Sequence, residues 1–527
     1  MKTPVSIFND VLGPVMCGPS SSHTAASVRI GRLAKDLLGA PVKHVLVEFT
    51  PTGSLATTYH GHGSDIGLAA GLLDMEVQAP EITDSLRIAH EKGLDIQFEI
   101  REFDNAHPNA YKLTLTSADD QKMQMIALST GGGMVQVVCV DGFQVDIHGG
   151  YFELLLFVPD YTEKQRENLL REFAYAKLEE AVYRNGLLEL KFSRSLSEEL
   201  IVTVLHSVGA LEYRYANPVL PVLSGNECKV PFTTASGLLG MITDDSVELW
   251  EMAVRYEAER GNISKSEVLE LARGVYRVMR GAVMAGLAGT DYKDRILDRQ
   301  SHLISKAASR GLLLPAPLIT KISQYTMAVM EAKSAFKPIV AAPTAGSCAV
   351  LPGAILGCVD ECGFSEEEGV QALLAAGLVG VFIATRSTFA AEIAGCQAEC
   401  GSASGMAAAG LVQLMGGNAE TALNAASFAL QNIMGMVCDP VANRVEVPCL
   451  GKNIMSAVNG LTAANIGLAG VNTVIPLDEV IDAMDRVGRS LPATLRCTGK
   501  GGLSVTPTAQ KIENELKKRD HENGETN

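Results

Sequence analysis

The stretch QALLAAGLVGVFIAT, residues 371–385, decides the fold of the second half of the chain. It is apolar on every side, and SGMAAAGLVQLMGG at residues 404–417 has the same character. Helices that are apolar all round lie inside a protein, and small Ala and Gly side chains let neighbouring helices pack closely. The longest apolar run, residues 370–385, contains Gln371 and is shorter than the roughly 20 residues needed to cross a bilayer. We therefore predict a helical bundle with a buried central helix and no membrane span.

The pattern changes along the chain and divides it into segments. Short β-rich runs (HVLVEFT, IQFEIREF, YKLTLTS, MVQVVCV), separated by Gly, Pro and Asp, predict an α+β domain over residues 1–150. The runs FELLLFV, GLLELKF and ALEYRYA, separated by two charged amphipathic stretches, predict a small β-α-β-α-β module over residues 151–223. Helical patterns dominate residues 224–515 and predict an all-α domain. Residues 516–527 end in HENGETN, which has no apolar side chain to bury, and predict a disordered tail.

Composition and charge limit the class of protein. The 527 residues carry 44 Lys and Arg against 60 Asp and Glu, a formal net charge of −16 that would repel a phosphate backbone, so nucleic acid is not an expected partner. The first residues, MKTPVSIFNDVLGPV, lack the apolar core and cleavage site of a secretory signal, and we expect a cytoplasmic protein. In that compartment we expect the 11 cysteines to be reduced core residues, ligands or nucleophiles rather than a disulfide framework.

The first candidate site is GPSSSHT, residues 18–24, which precedes a helical pattern. Backbone amides and hydroxyls would converge there on a point of partial positive charge, where a carboxylate or phosphate would bind. The alternative is a plain N-cap with surplus serines and a histidine that only completes a hydrogen bond. The candidate residues are Ser20, Ser21, Ser22, His23 and Thr24.

Histidines supply the second candidate site. In HGHGSD, residues 60–65, the flanking glycines would let the backbone approach a ligand while His60 and His62 serve as acid, base or metal ligand. The alternative is a Gly-rich turn with one histidine in a surface hydrogen bond. The tripeptide HPN is a weaker candidate, because its Pro could aim His107 and Asn109 or could mark only a turn.

Three cysteines differ from the others in their neighbours. Cys396, Cys438 and Cys449 each have Gly or Pro within two residues, so we expect each at a helix end or in a loop, where a thiolate can point into a cavity. The alternative, a buried small hydrophobic side chain, suits other cysteines such as Cys358 better. The three form no C-x-x-C pair, which excludes a zinc ribbon and gives little support to a zinc knuckle.

Together these motifs resemble a known family. GPSSSHTAASVRIG, TYHGHGSD and HPN in the first half, and APTAGSCAVLPGAIL, GCQAECGSASGMAAAGL, CDPV and VPCLGKN in the second, are similar to the iron-sulfur-dependent L-serine dehydratases of bacteria, in the form that joins the β and α parts in one chain. The resemblance covers most of residues 1–148 and 337–475. It departs from the family at Cys17, Ser64 and Cys400, where relatives usually have other residue types.

The resemblance implies a reaction and a cofactor. The reaction converts L-serine to pyruvate and ammonia, and the cofactor is a 4Fe-4S cluster held by Cys396, Cys438 and Cys449. Three cysteines leave one iron without a protein ligand, and such an open position can act as a Lewis acid toward the substrate hydroxyl. Some relatives carry an ACT-type regulatory domain at the place of residues 151–223. We interpret this module as ACT-like, with a regulatory or assembly role, although its pattern is one strand short.

The resemblance also implies roles for single residues. We expect His62 to take the Cα proton, with Ser64 or Asp65 fixing its tautomer and His60 as the reserve candidate. His23 would either hydrogen-bond the substrate or assist the proton transfer. The residues expected to bind substrate are Ser20, Ser21, Ser22, Thr24, His107, Asn109, Thr344, Ala345 and Gly346. We expect the active site between the β and α parts, where pockets commonly form. The expected partners are L-serine and a second copy of the chain in a homodimer, with no nucleic acid and no membrane.

Two other functions stay open. L-cysteine desulfhydration would use the same site and needs only a thiol in place of the substrate hydroxyl. A non-catalytic iron-sulfur redox or oxygen sensor belongs to another class of protein. The serine and histidine motifs argue against the sensor, because it needs neither a base nor an anion pocket.

Overall fold

The protein is described from a computed structural model, over residues 4–18, 20–79, 81–105, 107–159, 162, 165, 169, 173, 177–225, 228–244, 246–292 and 295–524. The chain forms two compact units. Unit 1 is Ser22–Cys228, and unit 2 combines Lys2–Ser21 with Lys229–Asn527.

Within the described residues the strands follow one another in chain order: β1 (Val15–Met16), β2 (Val42–Phe49), β3 (Asp95–Ile100), β4 (Ala110–Ser117), β5 (Lys122–Gly131), β6 (Met134–Val140), β7 (Phe143–Ile147), β8 (Phe152–Phe157), β9 (Leu178–Arg184), β10 (Leu187–Phe192), β11 (Glu212–Ala216) and β12 (Ile339–Val340).

The α-helices of the same residues are α1 (Ala26–Leu38), α2 (Leu55–Thr58), α3 (Ser64–Leu72), α4 (Ser85–Glu91), α5 (Glu198–Val208), α6 (Ala235–Leu239), α7 (Leu249–Gly261), α8 (Lys265–Ala288), α9 (Ser301–Ser309), α10 (Pro317–Ser334), α11 (Gly357–Cys362), α12 (Glu366–Arg386), α13 (Ala391–Ala394), α14 (Ser402–Leu414), α15 (Ala419–Ile433), α16 (Cys449–Leu468), α17 (Leu477–Ser490) and α18 (Pro507–Gly524).

The larger sheet of unit 1 has the strand order β3-β2-β4-β5-β6-β7. β2 and β3 pair in parallel, and the other neighbours are antiparallel. Alternate residues along β4 are buried, which is the period-2 pattern of a sheet with one face on a core. The mixed α and β structure predicted for this part of the chain is confirmed.

Helices α1 and α3 cross with their backbones in contact. A Cβ on Gly71 would lie 2.2 Å from the carbonyl oxygen of Val28, and one on Gly67 would lie 2.5 Å from that of Thr24. Only glycine allows this approach, because a larger residue would collide with backbone atoms that cannot move away. The crossing fixes the start of α1, which follows the GPSSSHT motif, against the start of α3, which follows HGHG.

The module predicted over residues 151–223 contains an antiparallel sheet of order β11-β8-β10-β9. The predicted β-α-β-α-β unit is therefore wrong by one strand, β9. Its sequence LEEAVYR has no fully buried residue and lies at the sheet edge, where charged side chains are common, so its pattern does not predict a strand. Most of the connection from β8 to β9 lies outside the described residues. Two residues of it, Leu169 and Phe173, are buried and joined by an i to i−4 backbone hydrogen bond of 3.0 Å.

Two helices of unit 2 are buried almost throughout. Every residue of α14 is buried, and so is α12 from Gly369 to Ile383 except for Gln371. By length and composition alone, Ala345–Cys362 and Glu366–Arg386 could each cross a membrane. Their apolar windows are 83% and 78% buried inside the protein, as in the core helices of soluble proteins, which meet the same criterion. The helical second part predicted from the sequence is confirmed.

The start of the chain belongs to unit 2, although we predicted it in the α+β domain of residues 1–150. The buried carboxylate of Glu257 accepts hydrogen bonds from Ser6 Oγ at 2.5 Å and from the Ile7 N–H at 2.8 Å. β1 pairs with β12, with Val15 opposite Val340. These contacts are with residues more than 200 positions away, and the local pattern does not reveal them.

The last helix, α18, continues through residues 516–524, where we predicted a disordered tail. Lys517 pairs with Glu513 one turn earlier at 2.7 Å, and such i, i+4 pairs favour helix in a charged sequence. Residues 525–527 lie outside the described residues.

Candidate active site

The three cysteines predicted as ligands come together in unit 2. Cys396 precedes the short helical turn Gln397–Gly401, Cys438 forms an isolated bridge with Arg496, and Cys449 begins α16. All three are buried, with exposed fractions of 2%, 4% and 6%. The Cys396 and Cys438 thiols are hydrogen-bonded, and Cys396 interacts electrostatically with Cys449. Each cysteine lies at a helix end or in a loop, as its neighbours predict.

Two cysteines that the sequence analysis did not select lie beside them. The thiol of Cys400, fully buried one helical turn after Cys396, hydrogen-bonds that of Cys396. Cys497 donates its backbone N–H to the Cys438 carbonyl at 2.9 Å, and the two thiols are hydrogen-bonded. The i, i+4 spacing of Cys396 and Cys400 is visible in the sequence, whereas only the fold brings Cys497 to Cys438. We call these two, with the three predicted ligands, the cysteine group.

The electrostatics of the cysteine group favour ionisation of one sulfur. Hydrogen bonds from Cys400 and Cys438, together with the charge of Lys452, lower the pKa of the Cys396 thiol well below its usual value. Burial raises the pKa of Cys449. Only thiolates bind metals, and a bound metal ion deprotonates a coordinating thiol. Cys396 is therefore the thiol whose ionisation the surroundings favour, and a bound metal would favour ionisation of the thiols that coordinate it.

Two ammonium groups, one buried and one half-buried, lie close to the cysteine group. The fully buried Lys333 donates to the Val445 carbonyl and interacts electrostatically with Cys449. Lys452 Nζ donates to the Val437 carbonyl at 2.6 Å and to Asp439 at 2.7 Å. Buried negative charge is costly without such partners, so both lysines suit a site that collects thiolates.

The APTAGS turn lies against a carboxylate that the sequence analysis missed. Thr344 Oγ1 donates to Glu399 Oε1 at 2.7 Å, and a Cβ on Gly346 would lie 2.6 Å from the same oxygen. Only glycine therefore lets the carboxylate approach the turn. Burial, reinforced by the charge of Cys396, raises the pKa of Glu399 to about 8. Glu399 was visible in the GCQAE motif, but its contact with Thr344, 55 positions away, was not.

Asn453 connects this turn to the cysteine group. Its Nδ2 donates to the carbonyls of Gly346 and Cys449, both at 2.8 Å, and lies 3.5 Å from the Cys400 sulfur. Its Oδ1 accepts from the Ala349 N–H at 3.2 Å. Because the side chain is fully buried and both of its polar atoms are bonded, Asn453 holds the predicted substrate-binding turn against α16.

In unit 1 the end of the GPSSSHT motif, residues 22–24, meets the HGHG motif at two imidazoles. The rings of His23 and His62 pack edge to face with their centroids 4.5 Å apart. His23 Nε2 lies 2.9 Å from Thr58 Oγ1, and Thr24 Oγ1 donates to the His62 carbonyl at 2.7 Å. Burial, followed by the charge of His62, lowers the pKa of His23 well below its usual value. His23 is thus a neutral, buried imidazole next to the half-buried His62.

The carboxylate expected to fix the tautomer of His62 contacts His60 instead. Asp65 Oδ2 lies 2.6 Å from His60 Nδ1, and the Ser64 hydroxyl accepts from Tyr111 at 3.2 Å. The His60 side chain is 70% exposed and that of Asp65 only 3%. The prediction for Asp65 is therefore wrong, because the start of α3 directs this carboxylate to the reserve candidate.

The HPN loop reaches the same imidazoles through hydrogen bonds. Asn109 Oδ1 accepts from Ser54 Oγ, and His107 Nδ1 accepts from the Asn109 N–H at 3.1 Å. The Ser54 carbonyl accepts from Thr58 Oγ1 at 2.6 Å, and Thr58 in turn contacts His23. HPN is thus more than an isolated turn, and substrate binding by His107 and Asn109 stays a prediction.

The serines before His23 lie at the start of a helical turn. A helical turn begins at Ser21 and leads directly into α1, whose N-cap position is Ala25. The Ser22 carbonyl accepts from Ser129 Oγ at 2.6 Å. Ser21 is buried, Ser20 and Ser22 are half-buried, and their binding of substrate stays a prediction.

The donor set consists of cysteine sulfurs, which are the ligand type of iron-sulfur clusters. Among the residues that the structure describes, no three His, Cys, Asp or Glu side chains are placed to hold one metal ion. Iron-sulfur clusters are held by cysteine thiolates. Cys396, Cys400 and Cys438 are buried and pack with apolar neighbours such as Ala391 and Met436, which limits access of water. The donor set therefore fits a cluster.

The chain combines a helical unit that contains the cysteine group with an α/β unit that contains the paired imidazoles. This two-part organisation defines its class of protein. The family of the serine dehydratase beta chain matches residues 10–138, and that of the serine dehydratase alpha chain matches residues 244–504. The chain belongs to the serine dehydratase family, with the beta part followed by the alpha part.

Individual relatives agree with this order. The chain is 35% identical over 505 residues to "L-serine dehydratase TdcG" of Escherichia coli (strain K12), covering 93% of this chain and 96% of that protein. It is 32% identical over 286 residues to "L-serine dehydratase, alpha chain" of Peptoniphilus asaccharolyticus, covering 54% of this chain and 98% of that one. It is 39% identical over 151 residues to "Probable L-serine dehydratase, beta chain" of Bacillus subtilis (strain 168), covering 29% of this chain and 67% of that one.

Proposed function

We propose that the protein is an L-serine dehydratase, which converts L-serine to pyruvate and ammonia. The observation that carries this proposal is the similarity over nearly the whole chain to a protein of that name, at 35% identity and with 96% of that protein covered. The buried cysteine group and the paired imidazoles support it, because the elimination of water needs an acid at the leaving hydroxyl and a base at Cα.

We propose a 4Fe-4S cluster as the cofactor, with Cys396, Cys438 and Cys449 as its ligands. When bound, the cluster supplies a Lewis acid at the iron that has no cysteine ligand. Support comes from the burial of the three sulfurs and from the neighbouring charges of Lys333 and Lys452. Each of the three motifs that carry these cysteines also resembles the family.

Binding of the substrate is assigned to the turn of Thr344, Ala345 and Gly346 and to the hydroxyls of residues 20–24. The turn is rigid, because Thr344 is hydrogen-bonded to Glu399 and Asn453 holds the Gly346 carbonyl. A rigid turn can orient an amino acid, and orientation alone contributes much of an enzyme's rate. Removal of Asn453 would loosen this turn.

Proton abstraction from Cα is assigned to His62, with His23 as its neighbour. His23 is held neutral by burial, so it can exchange hydrogen bonds with His62 or substrate without adding a second positive charge. Thr24 fixes the backbone of His62 through its carbonyl. His60 is more exposed and bound to Asp65, which suits a supporting role better than that of the base.

The remaining proposals concern the domain architecture, the cellular compartment and the oligomeric state. We propose that residues 151–223 form an ACT-like regulatory or assembly module, which their four-stranded antiparallel sheet supports. The extensive burial of α12 supports its role as the central helix of the bundle. The 11 free cysteines agree with a reducing compartment such as the cytoplasm. We propose a homodimer, which sedimentation of the purified protein tests directly.

One anaerobic assay tests the activity. The protein is reconstituted with iron and sulfide, and pyruvate and ammonia are measured from L-serine, L-threonine and L-cysteine in parallel. We expect turnover of L-serine to dominate. Preference for L-cysteine with release of sulfide would favour the desulfhydrase, and an intact cluster without turnover of any of the three would favour the sensor.

A further inference from the structure

The ammonium group of Lys452 joins two separate parts of the chain beside the cysteine group. Lys452 lies on α16, three residues after Cys449. Its Nζ donates to the Val437 carbonyl at 2.6 Å and to Asp439 Oδ1 at 2.7 Å. Val437 and Asp439 are the residues on either side of Cys438. A single side chain thus connects the loop of one predicted ligand to the helix that carries another.

Asp439 is itself fixed in place. Its side chain is 7% exposed, and its second oxygen, Oδ2, accepts from the Leu503 N–H at 2.8 Å. Gly502 has φ +59°, and a Cβ there would lie 2.5 Å from the same oxygen, so the carboxylate is enclosed. Two further contacts hold this loop, because Ser504 Oγ donates to the Pro440 carbonyl at 2.8 Å and the Cys497 N–H donates to the Cys438 carbonyl.

The ammonium group is also largely removed from water. The Lys452 side chain is 16% exposed, and its partner carboxylate is more deeply buried. Hydrogen bonds to charged groups in such surroundings are about twice as strong as those between neutral groups. The pair can therefore hold the Cys438 loop against α16 more firmly than a surface ion pair would, and it brings positive charge toward sulfurs that must ionise to bind metal.

We propose that Lys452 is a positioning residue for the metal centre. It holds Cys438 at the correct distance from Cys449, so that both thiols bind the same cluster. Asp439 fixes the ammonium group of Lys452 in place. This inference rests on the proposed iron-sulfur cofactor. It gives Lys452 no contact with substrate. Partners that orient metal ligands typically change metal affinity by 10- to 100-fold when they are replaced.

The test compares Lys452→Met with Lys452→Arg and Asp439→Asn in the full-length protein. Lys321→Met is the matched control, since Lys321 is a half-buried lysine on α10, 3.8 Å from Glu361 and part of another cluster of side chains. After anaerobic reconstitution, iron and sulfide per chain and the rate of iron transfer to a chelator are measured. We expect Lys452→Met to lose iron roughly 10- to 100-fold faster. Lys452→Arg should lose it only a few-fold faster, because a guanidinium can also donate to both acceptors.

A second readout needs no metal. In the iron-free protein, alkylation of Cys438 is followed by mass spectrometry, with Cys358 as an internal reference. Release of the loop in Lys452→Met should speed the modification of Cys438 and leave that of Cys358 unchanged. If Lys452→Met does not fold by circular dichroism, Asp439→Asn carries both measurements, since it keeps an acceptor for the Leu503 N–H and loses the ion pair.

The outcomes separate this inference from the cofactor proposal. Failure of the unaltered protein to take up iron and sulfide would refute the cluster. The positioning role would be refuted if the unaltered protein takes up the cluster normally and Lys452→Met shows unchanged iron loss and unchanged labelling of Cys438. Asp439→Asn decides in the same way if Lys452→Met does not fold. Loss of iron to the same degree in Lys321→Met would also overturn it, because the effect would then be one of general stability.

Discussion

His62 and His60 are two residues apart in the sequence and differ sharply in their surroundings. His62 is half-buried and packs on the neutral ring of His23, whereas His60 is mostly exposed and bound to Asp65. We expect His62→Asn to lower turnover of L-serine by about a hundredfold or more, the usual scale for loss of a general base. Iron content should be unchanged, because residue 62 lies in the other structural unit from the cysteines. Anaerobic pyruvate formation and iron analysis measure both quantities.

His60→Ala is the control for that prediction. We expect a milder loss, since the exposed ring can only support its neighbours. A dead His60 variant beside a His62 variant of near-normal turnover would reverse the two roles. If both variants stayed active, the base would lie elsewhere, and His23 would be the next residue to replace.

The burial of His23 predicts that the stability of the folded protein depends on pH. Burial lowers the pKa of His23 below the ordinary value of 6.5. Below pH 6.5 this histidine therefore binds a proton in the unfolded chain but not in the folded protein. Stability should fall as the pH falls below 6.5, by up to about 1.4 kcal/mol per pH unit, and should be independent of this group above it. His23→Gln keeps a donor or acceptor for Thr58 and should flatten this dependence. Denaturant unfolding at pH 5.5 and 7.5 measures it, and equal slopes for both proteins would contradict the assignment.

Single residues differ in how far the sequence predicts them. The cysteine and histidine motifs are visible because chemistry restricts their residue types and glycine or proline marks their loops. The roles of Glu399, Asn453 and Cys497 are not visible, because they come from contacts with residues about 50 or more positions away. Such long-range contacts have no local pattern, so only the fold identifies them.

At the scale of elements, the close contact of α1 and α3 predicts that a larger residue at their crossing destabilises the protein. Gly71→Ala would place a methyl group 2.2 Å from the Val28 carbonyl oxygen, so the helices must separate. We expect a loss of stability of about 1–3 kcal/mol, as for overpacking in a core, and reduced turnover because the two imidazole motifs begin these helices. Thermal or denaturant unfolding and the pyruvate assay measure the two effects.

Gly274→Ala is the matched control for that substitution. Gly274 is an exposed residue inside α8, and a Cβ there would have no neighbour within 4 Å. Ala should stabilise the helix by roughly 0.5–1 kcal/mol, because it lowers the entropy of the unfolded chain. If Gly71→Ala behaved like Gly274→Ala, α1 and α3 would not be held as closely as described.

Elements also show where sequence patterns fail. The strands at the middle of the sheets are predicted by their alternating or continuous apolar residues, as in β4 and β10. β9 is not, because an edge strand has one unpaired side and tolerates charges along it. The same argument applies to α18, where charged residues support a helix through i, i+4 pairs and not through an apolar face.

At the scale of the whole molecule, the sequence predicts the two types of structure but misplaces the boundary between them. The helical and mixed parts differ in apolar periodicity, which is a local property. The first residues of the chain join the helical unit through Glu257 and β12, and these partners lie far along the sequence. Two separate matches, to the beta and alpha chains of one family, agree with two units that fold around different cores.

Removal of iron should act on the whole molecule. We expect exposure to air or to a chelator to remove iron and turnover in parallel, and anaerobic addition of iron, sulfide and a thiol to restore both. The melting temperature should fall on removal, because a group that binds only the folded state stabilises it, and tighter binding stabilises it more. His62→Asn should show the same fall, since its cysteine group is intact, whereas Cys396→Ala should begin at the lower temperature and not change. A protein that loses its iron without any change in melting temperature would show that the cysteine group does not hold the metal in the folded chain.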